Sequence, residues 1–156
     1  MKLLIIGVGK IRTGYLREGI EGYTERIKRY HPLESLDIRE EKQGGGHLLS
    51  SVLKKEGERI LSKLEKSDFA IILHDEGGQT TSRGFADSIE KLLSSGKKRI
   101  CFIIGGAYGL HPSVIERADT VLSLSKMIFP HEMARLVLTE QIYRAFTIIK
   151  GEPYSH

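Results

Sequence analysis

The feature that most constrains this chain is its rhythm. Short apolar runs alternate with longer amphipathic stretches from one end to the other. Runs at 2–8, 33–39, 68–74, 99–105 and 120–124 have the length and branched-aliphatic content of buried strands. Between the first two, Leu16, Ile20, Tyr23, Ile27 and Tyr30 recur at helical spacing. Further helices are predicted over 48–64, with Val52, Ile60 and Leu64 on one face, and over 82–93, with Phe85, Ala86 and Ile89 inward. A short helix is expected over 111–117. Strand and helix in alternation predict an α/β fold built on a largely parallel sheet. At 156 residues there is room for one domain, spanning 1–156, with a core large enough to need neither disulfide nor structural metal.

Composition narrows the function classes. The one cysteine, Cys101, sits inside the apolar run 100–104 and reads as a small buried hydrophobe, which suits a reducing cytoplasm. The apolar start, Met1 to Val8, lacks a small-residue cleavage site and reads as a first strand. No apolar stretch approaches the ~20 residues that span a bilayer, so no membrane partner is expected. A net charge of +4 permits a polyanionic partner without demanding one. Gly44-Gly45-Gly46 reads as a mobile loop.

The last helix, predicted from about 130 to 149, is apolar on more than one face: Met133, Leu136, Val137, Leu138, Ile142, Phe146 and Ile149 go nearly all round it. Such a helix must be buried on several sides, and a homodimer interface is expected to supply one of them.

Several familiar chemistries fail on spacing. Gly7-Val8-Gly9 follows a strand, but Arg12 stands where a dinucleotide fingerprint has its third glycine. Gly96-Lys97 lacks the flanking residues of a phosphate loop. No histidine or cysteine set has metal-ligand spacing, so no metal is expected. His74-Asp75-Glu76 ends a strand, yet reads as a solvated loop rather than an acid–base cluster.

Two loops remain, both following strands. Ile103-Ile104-Gly105-Gly106-Ala107-Tyr108-Gly109-Leu110 lets backbone approach a flat ligand closely. Leu124-Ser125-Lys126-Met127-Ile128-Phe129 follows the next strand at the same sheet edge and leads into His131 and Arg135.

These two loops, together with Glu140-Gln141-Ile142-Tyr143-Arg144-Ala145, resemble the signature of the RlmH family, small bacterial ribosomal RNA large-subunit methyltransferases of the SPOUT class. The resemblance is collinear along the chain and includes 1–10, Glu56-Gly57-Glu58-Arg59-Ile60-Leu61 and Leu73. It implies a C-terminal trefoil knot, which elementary topology rules would not predict. It implies S-adenosylmethionine as cofactor, contacted by Leu73, Gly105, Leu124, Ser125, Lys126, Met127, Ile128 and Phe129. It implies a cytoplasmic homodimer that methylates N3 of pseudouridine 1915 in helix 69 of 23S rRNA on the assembled ribosome.

Within that frame, a cation near the base carbonyls would stabilise the anion that develops as N3 loses its proton. Arg144 is the candidate for this electrostatic role, with Tyr154 and His131 as candidates for positioning or proton transfer. The bland alternative for Arg144 is an ion pair with Glu140 one turn away. Three departures from the family pattern stand out: Ser155 between Tyr154 and His156, Ile128 where threonine is common, and His74 at a variable position. The rival readings are an RNA- or ribosome-binding module without catalysis, and a nucleotide enzyme using Gly7 to Gly9.

Overall fold

The computed structural model describes residues 1–42 and 48–154. The triple glycine 44–46 and the tail residues Ser155 and His156 lie outside the described residues. Among the described residues five strands, β1 (Lys2–Val8), β2 (Leu33–Ile38), β3 (Phe69–Gly78), β4 (Arg99–Ile104) and β5 (Thr120–Leu122), form one sheet in the order β2-β1-β4-β3-β5. Every pairing between them is parallel. Within the same residues five helices connect and cover them: α1 (Gly14–Lys28), α2 (Leu49–Leu61), α3 (Ser82–Leu93), α4 (Pro112–Glu116) and α5 (His131–Lys150).

Alternation along the strands sorts the core into two layers, because successive side chains point to opposite faces. Leu3, Ile5, Ile71, Ile100, Phe102 and Ile104 pack under α1, α3 and α5. Leu4, Ile6, Ile72, Cys101 and Ile103 pack under α2 and α4 through Ile60 and Val114. Cys101 is fully buried and free, and burial pushes its thiol up to about 12. It is packing material and not a nucleophile.

Several element ends differ from expectation, and β5 stops two residues early, at Leu122. β2 and β4 each stop one residue early, and α2 stops at Leu61. β3 runs four residues beyond the expected end at His74, through the exposed Asp75 and Glu76 to Gly78. Leu73 and Gly78 both pair with Leu122, so the intervening residues bulge out of the ladder. Gly77 makes this possible, since a Cβ there would fall 2.6 Å from the Leu122 carbonyl carbon. His74-Asp75-Glu76 is therefore a strand bulge and not the free loop expected.

α5 lies between α1 and α3, and this burial accounts for most of its apolar surface. Its first turn is fixed by two long-range contacts. The Glu132 carboxylate accepts the backbone N–H of Arg12 at 2.7 Å and of Thr13 at 3.3 Å, capping the start of α1. Anions are favoured at that end of a helix, and these bonds hold the Glu132 carboxyl below its ordinary range. Arg135, only 6% exposed, reaches across the end of β1. It donates to Val8 O at 3.3 Å, Gly9 O at 2.5 Å and Asp37 Oδ1 at 2.7 Å.

A Cβ at Gly7 would overlap the Arg135 guanidinium, so the absence of a side chain at residue 7 is what admits it. Gly7→Ala is expected to lower unfolding free energy by about 2 kcal/mol, because Arg135 must leave buried carbonyls unpaired. Urea titration checks this; an unchanged midpoint would show that Arg135 relocates without penalty.

Candidate active site

Ligands of parallel sheets bind beyond the carboxyl ends of the strands. Here those ends carry a cleft of about 740 Å³. β3 supplies Leu73, His74 and Asp75; the turn after β4 supplies Gly105, Gly106, Gly109 and Leu110; the segment after β5 supplies residues 122–125 and 127–130. His131 and Ala134 of α5 close it.

Each wall has a local cause. After β4 the chain turns tightly, with Gly109 N–H donating to Gly106 O at 3.1 Å. Gly105 fits inside this turn because a Cβ would lie 2.7 Å from Gly109 O. Gly109 itself has φ of 89°, a conformation that side chains resist. In the second loop, Ser123 Oγ donates to Ser125 O at 2.9 Å, and Ser125 Oγ accepts the Met127 N–H at 3.0 Å. These bonds hold the bend that exposes Met127 (74%) and Ile128 (82%) at the rim.

Seven of the eight residues expected to contact a cofactor line the cleft: Leu73, Gly105, Leu124, Ser125, Met127, Ile128 and Phe129. Lys126 is exposed and does not. Ile128, the residue standing in for threonine, faces solvent. His74 and Asp75, given no role from sequence, belong to the lining, and their place at a strand's carboxyl end was the signal. Their side chains meet at 3.1 Å. Among the described residues no group of three His, Cys, Asp or Glu side chains could hold a metal.

Of the three candidate catalytic residues, His131 alone borders the cleft. Arg144 lies thirteen positions further along α5, about 20 Å at the rise of an α-helix. It donates to Glu140 Oε1 through Nε at 3.0 Å and Nη2 at 2.7 Å, and this pairing keeps it firmly protonated. Tyr154 is brought to it by a turn at Gly151, whose φ of 68° allows Glu152 N–H to bond Thr147 O at 2.8 Å. The tail folds back, so that Tyr154 packs edge-on against Tyr143 at 4.7 Å and beneath Arg144 at 4.8 Å.

The Tyr154 hydroxyl contacts Tyr23 at 3.2 Å and Glu140 Oε1 at 3.3 Å. Burial first, and then these partners, push its phenol above its ordinary range. It therefore stays protonated, suited to donate a hydrogen bond rather than act as an anionic base. On the other flank Gln141 Nε2 donates to Glu140 Oε2 at 2.7 Å, and Ser82 Oγ donates to Gln141 Oε1 at 2.7 Å. A continuous polar belt thus crosses α5 from α3 to α1.

A family model described as "Predicted SPOUT methyltransferase" matches residues 1–156. The chain belongs to the SPOUT methyltransferase family. Ribosomal RNA large subunit methyltransferase H of Bacillus pumilus is 46% identical over 158 residues, with 99% of each chain covered. The protein of the same name from Shouchella clausii is 44% identical, again over 99% of both chains. Among solved structures, the tRNA (m1G37) methyltransferase of Aquifex aeolicus superposes with a TM-score of 0.58 at 17% identity, covering 100% of this chain and 75% of that one. That likeness shows a shared SPOUT-type α/β fold. Among the described residues no helix of this SPOUT protein is long and apolar enough to cross a membrane.

Proposed function

We propose that this protein is an S-adenosylmethionine-dependent ribosomal RNA methyltransferase acting on N3 of pseudouridine 1915 in helix 69 of 23S rRNA. The observation that carries the reading is the cleft at the carboxyl ends of β3, β4 and β5, where seven expected cofactor contacts converge. The names of the relatives support the RNA class, and the family resemblance supports the nucleotide.

The cleft fits the cofactor on its own chemistry. It has room for a nucleoside with a short tail, a glycine cradle for a flat base, and in Asp75 a carboxylate for a cation. S-adenosylmethionine supplies an electrophilic sulfonium methyl when bound. The chain's part is positioning and electrostatics. Leu73, Gly105, Leu124, Ser125 and residues 127–129 hold and orient the cofactor and exclude water. The Arg144 guanidinium stabilises charge developing on the base carbonyls as N3 is deprotonated. Tyr154 positions the base through its hydroxyl, and His131 positions it or moves its proton.

This assignment requires Arg144 and Tyr154 to meet a cleft that lies about 20 Å away in the same chain. A two-fold homodimer resolves this by setting one chain's Arg144 end against the other's cleft. The apolar rim left open at Tyr108, Met127 and Ile128 supports such a partner. The knot belongs to the same proposal. α5 begins beside β1, whereas β5 lies beyond β3, so residues 123–130 must cross the ends of β3 and β4. A cytoplasmic site of action follows from the ribosomal substrate.

Transfer of labelled methyl to purified ribosomes tests the function, alongside calorimetric titration with S-adenosylmethionine. Label is expected on ribosomes carrying the pseudouridine and not on ribosomes lacking it. Equal labelling of both would overturn the specificity, and RNA binding without transfer would leave a non-catalytic module.

A further inference from the structure

A second, smaller pocket lies behind the segment that walls the cofactor cleft. Residues 122–124 line both, so they form a shared partition. The rest of its lining is Thr80, Thr81, Ser82, Phe85, Val137 and Gln141. None of these side chains is charged. Hydroxyls and one amide face an apolar floor, a combination that suits a neutral, flat molecule with both donors and acceptors. Phosphate or a cation would find no counter-charge here.

Size narrows the class further. The pocket holds about 190 Å³. A cavity of ~150 Å³ already admits a six-membered ring, so one pyrimidine fits and a purine nucleoside does not. Its lip is also wired to the belt on α5. Ser82 bonds Gln141, Gln141 bonds Glu140, and Glu140 holds Arg144.

We propose that this pocket is a pyrimidine-base subsite for the RNA substrate, a step that rests on the RNA methyltransferase reading above. The partition of residues 122–124 stands between the pocket and the cleft, so the base held here is not the one methylated. It is a neighbouring base, splayed from the loop and read by hydrogen bonds along its edge, as sequence-specific recognition of unpaired RNA requires. The pocket therefore anchors and selects; it does not react.

The test uses the full chain and 5-fluorouridine as probe. The fluorine resonance of 5-fluorouridine is expected to shift with the wild-type protein. The shift should vanish with Thr80→Val, which removes a hydroxyl of the pocket and touches neither the cleft nor the belt on α5. In methyl transfer to ribosomes the same variant should raise KM about fivefold, the loss expected for one neutral hydrogen bond, with kcat little changed. Affinity for S-adenosylmethionine by calorimetry should stay at the wild-type value. Val137→Phe, which fills the pocket from another wall, should produce the same pair of losses and covers the case of a poorly folding Thr80→Val protein.

Unchanged KM together with an unshifted fluorine resonance would overturn the proposal. So would a parallel fall in S-adenosylmethionine affinity, which would make the pocket a mere support for the partition. A wild-type protein that shifts 5-fluorouridine but binds no S-adenosylmethionine would instead sink the methyltransferase reading and leave the subsite standing.

Discussion

Arg144→Ala is expected to reduce methyl transfer by about 10²–10³-fold while leaving S-adenosylmethionine affinity within twofold. The rate effect follows if the guanidinium meets charge that exists only as the base loses its proton. The binding effect is small because the guanidinium, set by the proposed dimer against the partner's cleft, meets the base and not the cofactor. Stability should barely move. The Glu140 pair is a largely buried i,i+4 contact worth about 0.5 kcal/mol, and the stack on Tyr154 adds about 0.5–1 kcal/mol.

Arg144→Lys separates charge from shape. Lysine keeps the charge but cannot bond Glu140 through two nitrogens or lie flat on Tyr154. Partial recovery of the rate is expected. Single-turnover transfer to ribosomes with parallel calorimetry reads both variants. A loss of cofactor affinity in Arg144→Ala would place the residue in the wrong role.

The second large effect is expected at Gly105→Ala: at least a tenfold loss of S-adenosylmethionine affinity and about 1–3 kcal/mol of stability. The new methyl would lie 2.7 Å from Gly109 O and 3.0 Å from Leu110 Cγ. The first of these is backbone, so the turn must open and its ligand-facing surface is lost. Gly109→Ala is the instructive comparison. A Cβ there meets nothing within 4 Å, and the only penalty is the left-handed backbone, of order 1 kcal/mol. Gly105→Ala should therefore harm binding far more than Gly109→Ala. Equal losses in calorimetry would show that loop strain, and not the close approach, governs the site.

Much of this architecture was legible before any coordinates. Strands β1 and β4 announce themselves because both faces are buried and their apolar runs are unbroken. The glycine turn after β4 was legible for the same reason that it is useful, namely that side chains are missing where backbone must come close. The end of β3 was not. Asp75, Glu76 and Gly77 have no apolar alternation, and their place in the strand comes from Gly77 nesting on Leu122.

Arg135 was equally opaque as a buried group, since an arginine on a helix ordinarily reads as solvent-facing. Its only trace in the sequence is the bare glycine at residue 7, far away along the chain. The cap made by Glu132 on Arg12 and Thr13 spans about as much of the chain and leaves no local mark. The pair Glu140–Arg144 was visible from its spacing alone. What spacing could not show was that Tyr154 and Gln141 also converge on Glu140, with Tyr23 joined to them through the Tyr154 hydroxyl.

One rod carries both halves of the proposed chemistry. Its first turn is bolted to the sheet by Arg135 and to α1 by Glu132, and its far end presents Arg144. α5 is in this sense a ruler. A single inserted residue near its middle would rotate everything downstream by about 100° and advance it ~1.5 Å, while the pinned end stayed put. Insertions in the surface loops of such a protein leave this spacing alone, whereas one inside the helix is expected to carry Arg144 out of line.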